Sequence, residues 1–258
     1  MCELQCEHPS RRDFLIQGAL LLPAVTISSA FGRVKSNVNP AQPISVAPGL
    51  KIFPRTAWAT KAQPAGVLKP ETSVKFLLVH HTAGTTNYKI EQVPNQIRQI
   101  YNFHTGKTKG WADVCYNFFV DRFGQVWEGR QGSINSAVMA DATGGSQGFA
   151  QLVCLLGNFD TSEPTKEMME SCAATLAWLA TKNKIVIDQS KFVSFTSRGS
   201  NKWKSGVTVN ARPISGHRDM SATVCPGKFV YPLLEKSLPT RVSELQKLQT
   251  KKPKAAQY

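Results

Sequence analysis

A chain of 258 residues is long enough for one substantial core, alone or with tails. Its 41% hydrophobic content is that of an ordinary globular protein and excludes a wholly disordered chain. The net charge of +14 is not ordinary, and it narrows the partners to polyanionic ones: nucleic acid, anionic lipid or an acidic cell wall.

The N-terminus selects among these. Ser10-Arg11-Arg12-Asp13-Phe14-Leu15 precedes an apolar run from Ile16 to Ile27, and Ser28-Ser29-Ala30 offers small residues to a signal peptidase. The pattern resembles a twin-arginine export signal; the other reading is an arginine pair before a short core helix. The apolar run is too short for a comfortable membrane span. Cleavage after Ala30 would remove Arg11 and Arg12 with Glu3, Glu7 and Asp13, leaving the chain one charge more positive. Export takes the protein away from nucleic acid, so no nucleic-acid partner is expected and attraction to an anionic cell wall is. Cys115, Cys154, Cys172 and Cys225 would remain, without regular spacing, and folding before export argues against pairing them.

The leader is expected over 1–30 and a linker over 31–50, where Pro40, Pro43 and Pro48 recur among polar residues. The folded domain is expected over 51–248. Val74 to Val79 is a nearly continuous apolar run that predicts a buried strand. Pro94 to His104 predicts a helix with Ile97, Ile100, Tyr101 and His104 on one face. Tyr116 to Val120 and Gln125 to Glu128 predict a hairpin with Gly124 in its turn. Leu152 to Leu156 predicts a second buried strand. Ser162 is the expected cap of a helix running to about Thr181, with Cys172 among its core positions. Lys191 to Asn210 looks like a long surface loop carrying Arg198, Lys202 and Lys204, either solvated or facing wall anions. The residues 249–258 read as a basic, disordered tail. Interleaved strands and helices around one core predict an α/β fold with a central mixed β-sheet flanked by helices.

The chemistry concentrates at two places. His80 ends a buried strand, and His217 and Cys225 share one irregular segment, Gly216 to Cys225. Two imidazoles and a thiolate are zinc ligands, and a site with three protein ligands keeps a position for water, as catalytic zinc requires. Spacing alone does not join them. Taken singly, His80 also reads as a structural histidine and Cys225 as a buried cysteine.

Leu78-Val79-His80-His81-Thr82-Ala83-Gly84 is similar to the first metal motif of the family of peptidoglycan recognition proteins and phage-lysozyme-type amidases. The run from Trp111 to Arg130 resembles that family's central hairpin. Ser215-Gly216-His217-Arg218-Asp219, continuing to Thr223-Val224-Cys225-Pro226-Gly227, resembles its second metal motif, and Pro54-Arg55-Thr56-Ala57-Trp58 its first segment. The resemblance implies a mixed sheet with flanking helices and one zinc in a surface groove, held by His80, His217 and Cys225. It implies an N-acetylmuramoyl-L-alanine amidase that cuts bacterial peptidoglycan between the muramic acid lactyl group and L-alanine. Tyr116 maps onto the active-site tyrosine, an oxyanion donor, and Thr223 onto a position that orients the water or the intermediate. His104 and His81 are expected at the substrate, with structural packing as the other reading of each; His81 should point to the opposite sheet face from His80. Asp113 and Asp219 are expected to be structural hydrogen-bonders. A histidine usual in the family is missing around Met139 to Ser146, and Cys115 stands where a small residue is usual. Relatives that bind without cutting typically lose the ligand cysteine; Cys225 is present, so the enzyme is preferred over a non-catalytic recognition module. Oligomeric state is not legible.

Overall fold

The computed structural model describes residues 41–144 and 147–250. The expected leader, the first half of the linker and all but the start of the basic tail lie outside the described residues. In chain order the elements are β1 (Ile44–Ala47), β2 (Leu50–Phe53), α1 (Thr56–Ala59), β3 (Phe76–His81), α2 (Val93–Thr105), β4 (Phe118–Val120), β5 (Val126–Glu128) and β6 (Ala150–Leu155). There follow α3 (Lys166–Lys182), β7 (Val193–Thr196), β8 (Thr208–Ala211), β9 (Ile214–Gly216), α4 (His217–Met220), α5 (Tyr231–Glu235) and α6 (Ser237–Thr250).

Seven strands form one sheet in the order β1-β2-β5-β4-β6-β3-β9. The β1–β2 and β4–β5 pairs are antiparallel, and the remaining neighbours run parallel, so the sheet is mixed as expected. The parallel centre is covered on both faces, which is why β3 and β6 are buried throughout and mostly apolar rather than alternating. Leu77 and Val79 pack with α3, α5 and α6; Phe76 and Leu78 pack with α1, α2 and the small β7–β8 sheet. Each buried Leu or Phe of these layers contributes about 1.5–3 kcal/mol.

Four boundaries differ from the sequence reading. The expected linker over 31–50 ends early: Ile44 pairs with Ile52, so β1 is an edge strand, bracketed by the prolines that suggested a linker. The cap of α3 is Thr165, not Ser162; the Thr165 hydroxyl accepts from the Met168 amide at 3.1 Å. The expected loop from Lys191 to Asn210 contains the β7–β8 hairpin, with Phe195 and Val209 buried against the α2 face of the sheet. The final helix continues past residue 248 to Thr250. Cys172 sits in the core as expected, and burial pushes its thiol up to about 12. Gly124 has φ 78° in the β4–β5 turn, a conformation that favours glycine.

Candidate metal centre

The sheet register brings the two histidines together. β3 and β9 are parallel neighbours, with Val79 opposite Gly216, so the next residues, His80 and His217, are adjacent. Their ring centroids lie 4.4 Å apart. His217 opens α4, a helix of four residues, and Asp219 caps that turn: its Oδ2 accepts from the Gly216 amide at 2.7 Å, and its Oδ1 from the Tyr231 hydroxyl at 2.6 Å. The chain then folds back. The Arg218 amide donates to the Cys225 carbonyl at 2.9 Å and closes a loop that returns the thiol to the histidines. Gly227 lets this loop settle on its neighbour, because at its φ of 98° a Cβ would run into the Phe159 backbone. The Cys225 sulfur accepts the His81 amide at 3.3 Å and lies 3.7 Å from His80 Nδ1.

The donor set suits zinc. One ligand atom from each of His80, His217 and Cys225 falls within 4.8 Å of the others, and all three residues are buried. Zinc–sulfur and zinc–nitrogen bonds at tetrahedral angles separate the two atoms by about 3.6 Å, close to the Cys225–His80 spacing. Burial and the neighbouring His217 hold His80 well below the usual histidine range; burial and His81 hold His217 down to about 3. Both imidazoles are therefore neutral, as a metal ligand must be. His217 Nδ1 is buried without a hydrogen-bond partner, which a metal would supply.

Around this cluster the structure places the other sequence candidates unequally. The Tyr116 ring packs 5.1 Å from that of His80 and 5.6 Å from that of His104. Thr223 is half-buried, and its hydroxyl accepts from the Cys225 amide at 3.2 Å. His104 is buried on α2; its Nδ1 accepts from the Cys115 amide at 3.2 Å and its ring lies against Trp111. This favours the packing reading of His104 over substrate contact. It also gives Cys115 a neighbour, since its sulfur lies 3.8 Å from His104 Nε2. His81 is buried too, and its side chain, one residue on from His80, faces the other side of the sheet. There its Nδ1 accepts from the Phe159 amide at 3.2 Å and its Nε2 lies 3.9 Å from Asp160. The expected opposite facing of His81 is seen, because strand pleating turns successive side chains to opposite faces, and there His81 anchors the 158–160 turn.

The motif carboxylates are structural. Asp113 holds Arg55 with both oxygens at 2.9 Å, and Glu128 accepts from the Arg55 and Ile134 amides, so both tie down the first segment and the hairpin. A cavity of about 320 Å³ lies off the C-terminal end of β6, bounded by Thr86, Arg122, Phe159 and Ser162; none of the three ligands lines it. Sequence reasoning missed two features of the centre. One is the His81 amide on the Cys225 sulfur, a backbone group that no motif displays. The other is the β7–β8 hairpin, whose tip at residues 200–203 bonds to the segment between His217 and Cys225. The alternation of apolar Val193 and Phe195 with polar Ser194 and Thr196 was the signal that could have revealed it.

Known proteins resemble this chain in sequence and in fold. The family described as N-acetylmuramoyl-L-alanine amidase matches residues 70–228. Peptidoglycan-recognition protein SD of Drosophila simulans is 26% identical over 192 residues, spanning 74% of this chain and 88% of that protein. Mouse peptidoglycan recognition protein 1 is 25% identical over 186 residues, 71% of this chain and 86% of that one. Among solved structures, the amidase LysC of Clostridium intestinale superposes with a TM-score of 0.53 at 19% identity, over 75% of this chain and 98% of its own. Drosophila PGRP-LB gives 0.54 at 19% identity, over 72% and 93%. At such identities the superpositions show a shared fold.

Proposed function

We propose that this chain, which belongs to the N-acetylmuramoyl-L-alanine amidase family, is an exported zinc-dependent enzyme that hydrolyses the amide between the muramic acid lactyl group and L-alanine in bacterial peptidoglycan. The observation that carries the reading is the convergence of His80, His217 and Cys225 as three buried ligands with neutral imidazoles, beside the ring of Tyr116. Three protein ligands, rather than four, suit catalysis. Zinc bound there would lower the pKa of water toward neutrality and polarise the scissile carbonyl.

The residues of the chain divide the remaining work. Tyr116 donates a hydrogen bond to the oxygen that gains charge as the carbonyl is attacked. The Thr223 hydroxyl, already accepting from the Cys225 amide, has its own proton to offer to the water or the intermediate. The His81 amide steadies the Cys225 sulfur in its thiolate form. The leader-like residues Ser10 to Leu15 support export, and the charge of +14 supports attraction to an anionic wall once outside. No described helix is long and apolar enough to cross a membrane.

The test is digestion of purified peptidoglycan by the chain lacking residues 1–30, with and without a chelator, with products read by mass spectrometry. Stem peptides beginning with L-alanine, lost on chelation and restored by zinc, are the expected result. Wall binding with no released peptide in excess zinc would replace this reading with a recognition module.

A further inference from the structure

The four-residue helix α4 cannot satisfy its own last carbonyls, and a helix this short does not hold itself together. The hairpin tip does it instead. Lys202 Nζ donates to the Arg218 carbonyl at 2.6 Å, the Trp203 indole to Asp219 at 2.9 Å, and the Ser200 hydroxyl to Met220 at 2.9 Å. Asn201 grips the next turn from both sides: its Oδ1 accepts from the Ala222 amide at 2.8 Å, and its Nδ2 reaches the Ala222 carbonyl at 3.5 Å. Four consecutive residues of one hairpin thus bond to the main chain between His217 and Cys225, and none of them touches the other ligand, His80, by a hydrogen bond. The tip is itself organised for this. The Ser200 hydroxyl accepts from the Lys202 and Trp203 amides, and the Ser200 amide donates to the Trp203 carbonyl at 2.8 Å.

We propose that Ser200, Asn201, Lys202 and Trp203 are positioning residues for the metal centre: the hairpin holds His217, Thr223 and Cys225 at the spacing that zinc requires. The inference rests on the amidase reading only for its effect on turnover; its effect on zinc affinity stands without it. Each bond fixes main chain rather than a ligand side chain, so loosening the clamp lets the His217–Cys225 loop relax while the core beneath stays packed. Groups that orient metal ligands from outside typically change metal affinity by about 10- to 100-fold when removed.

The experiment compares the wild-type chain with Ser200→Ala/Asn201→Ala and with the milder Asn201→Asp, which keeps the acceptor for the Ala222 amide. Zinc affinity is measured by competition with a chromophoric chelator, thermal unfolding is followed in the metal-free proteins, and peptidoglycan turnover is measured at zinc saturation. The expected result is at least a tenfold loss of zinc affinity in the double variant and a smaller loss in Asn201→Asp. Metal-free unfolding temperatures should stay close together, and kcat at zinc saturation should fall with KM little changed. Unchanged zinc affinity in the folded double variant overturns the proposal, as does a wild-type chain that binds no zinc. A double variant that does not fold leaves Asn201→Asp to decide by the same criterion. If zinc affinity falls as expected but no variant, wild type included, releases stem peptides, the clamp stands and the amidase reading fails.

Discussion

The two halves of the candidate metal centre are built in different ways. His80 stands on β3, which is paired along its length with β6 and along Leu77 to Val79 with β9, and is buried on both faces. Its position follows from backbone ladders and a packed core, which many side chains share. His217 and Cys225 stand on a four-residue helix and a returning loop, fixed by a handful of hydrogen bonds from Asp219, Arg218 and the hairpin tip. The first half should therefore resist the loss of any one polar contact and suffer from loss of packing. The second should behave in the opposite way. A candidate centre built this way keeps one histidine rigid and leaves the other two side chains adjustable through a hairpin some 16 to 21 residues away in the chain.

The sharpest way to break the comparison is to remove a ligand. Cys225→Ala should abolish zinc binding and hydrolysis while the fold persists, because Cys225 belongs to the half held by local bonds; a variant that still digests peptidoglycan would refute the ligand assignment. Next in size is Leu78→Ala, on the same sheet face as His80. Truncating a fully buried leucine should cost about 2–5 kcal/mol of stability, read by denaturant unfolding, with zinc affinity of the still-folded protein changed far less than by the hairpin variants. A Leu78→Ala protein of wild-type stability but weakened zinc binding would invert the assignment of the two halves.

Tyr116→Phe tests the chemistry beside the rigid half. Loss of one oxyanion donor typically lowers kcat about 100- to 1,000-fold, and KM should move little since the bond forms mainly in the transition state. A rate equal to wild type would return Tyr116 to packing between His80 and His104. The smallest effect belongs to Thr165→Ala, which removes the cap of α3 and should cost about 1 kcal/mol. Thermal unfolding should register it while zinc affinity and kcat stay at wild-type values; a change in either would mean that α3 communicates with the centre.

Much of the fold was legible because local pattern decides it. The apolar run before His80, the helical face of Ile97 and His104, and the glycine between Val120 and Val126 each state their element within a few residues. The α3 cap was misread because Ser162 and Thr165 are both good caps, and only the path of the preceding turn chooses between them. The hairpin at Val193 to Ala211 was hidden by its polar outward residues: a two-stranded sheet with one buried face shows just Val193, Phe195, Val209 and Ala211 as inward apolar signals.

The sequence by itself determined the kinds of candidate ligand, two imidazoles and a thiol, and the mixed α/β class, because residue identity and short-range periodicity carry both. Tertiary structure alone decided that the three ligands meet, since the meeting depends on Val79 lying opposite Gly216 across a parallel ladder between distant parts of the chain. It also gave His81 and His104 their partners, the Phe159 and Cys115 amides. Finally, it set the hairpin against the loop from His217 to Cys225. That contact consists of side-chain bonds to main-chain groups, and a main-chain carbonyl has no letter in the sequence by which its partner could be recognised.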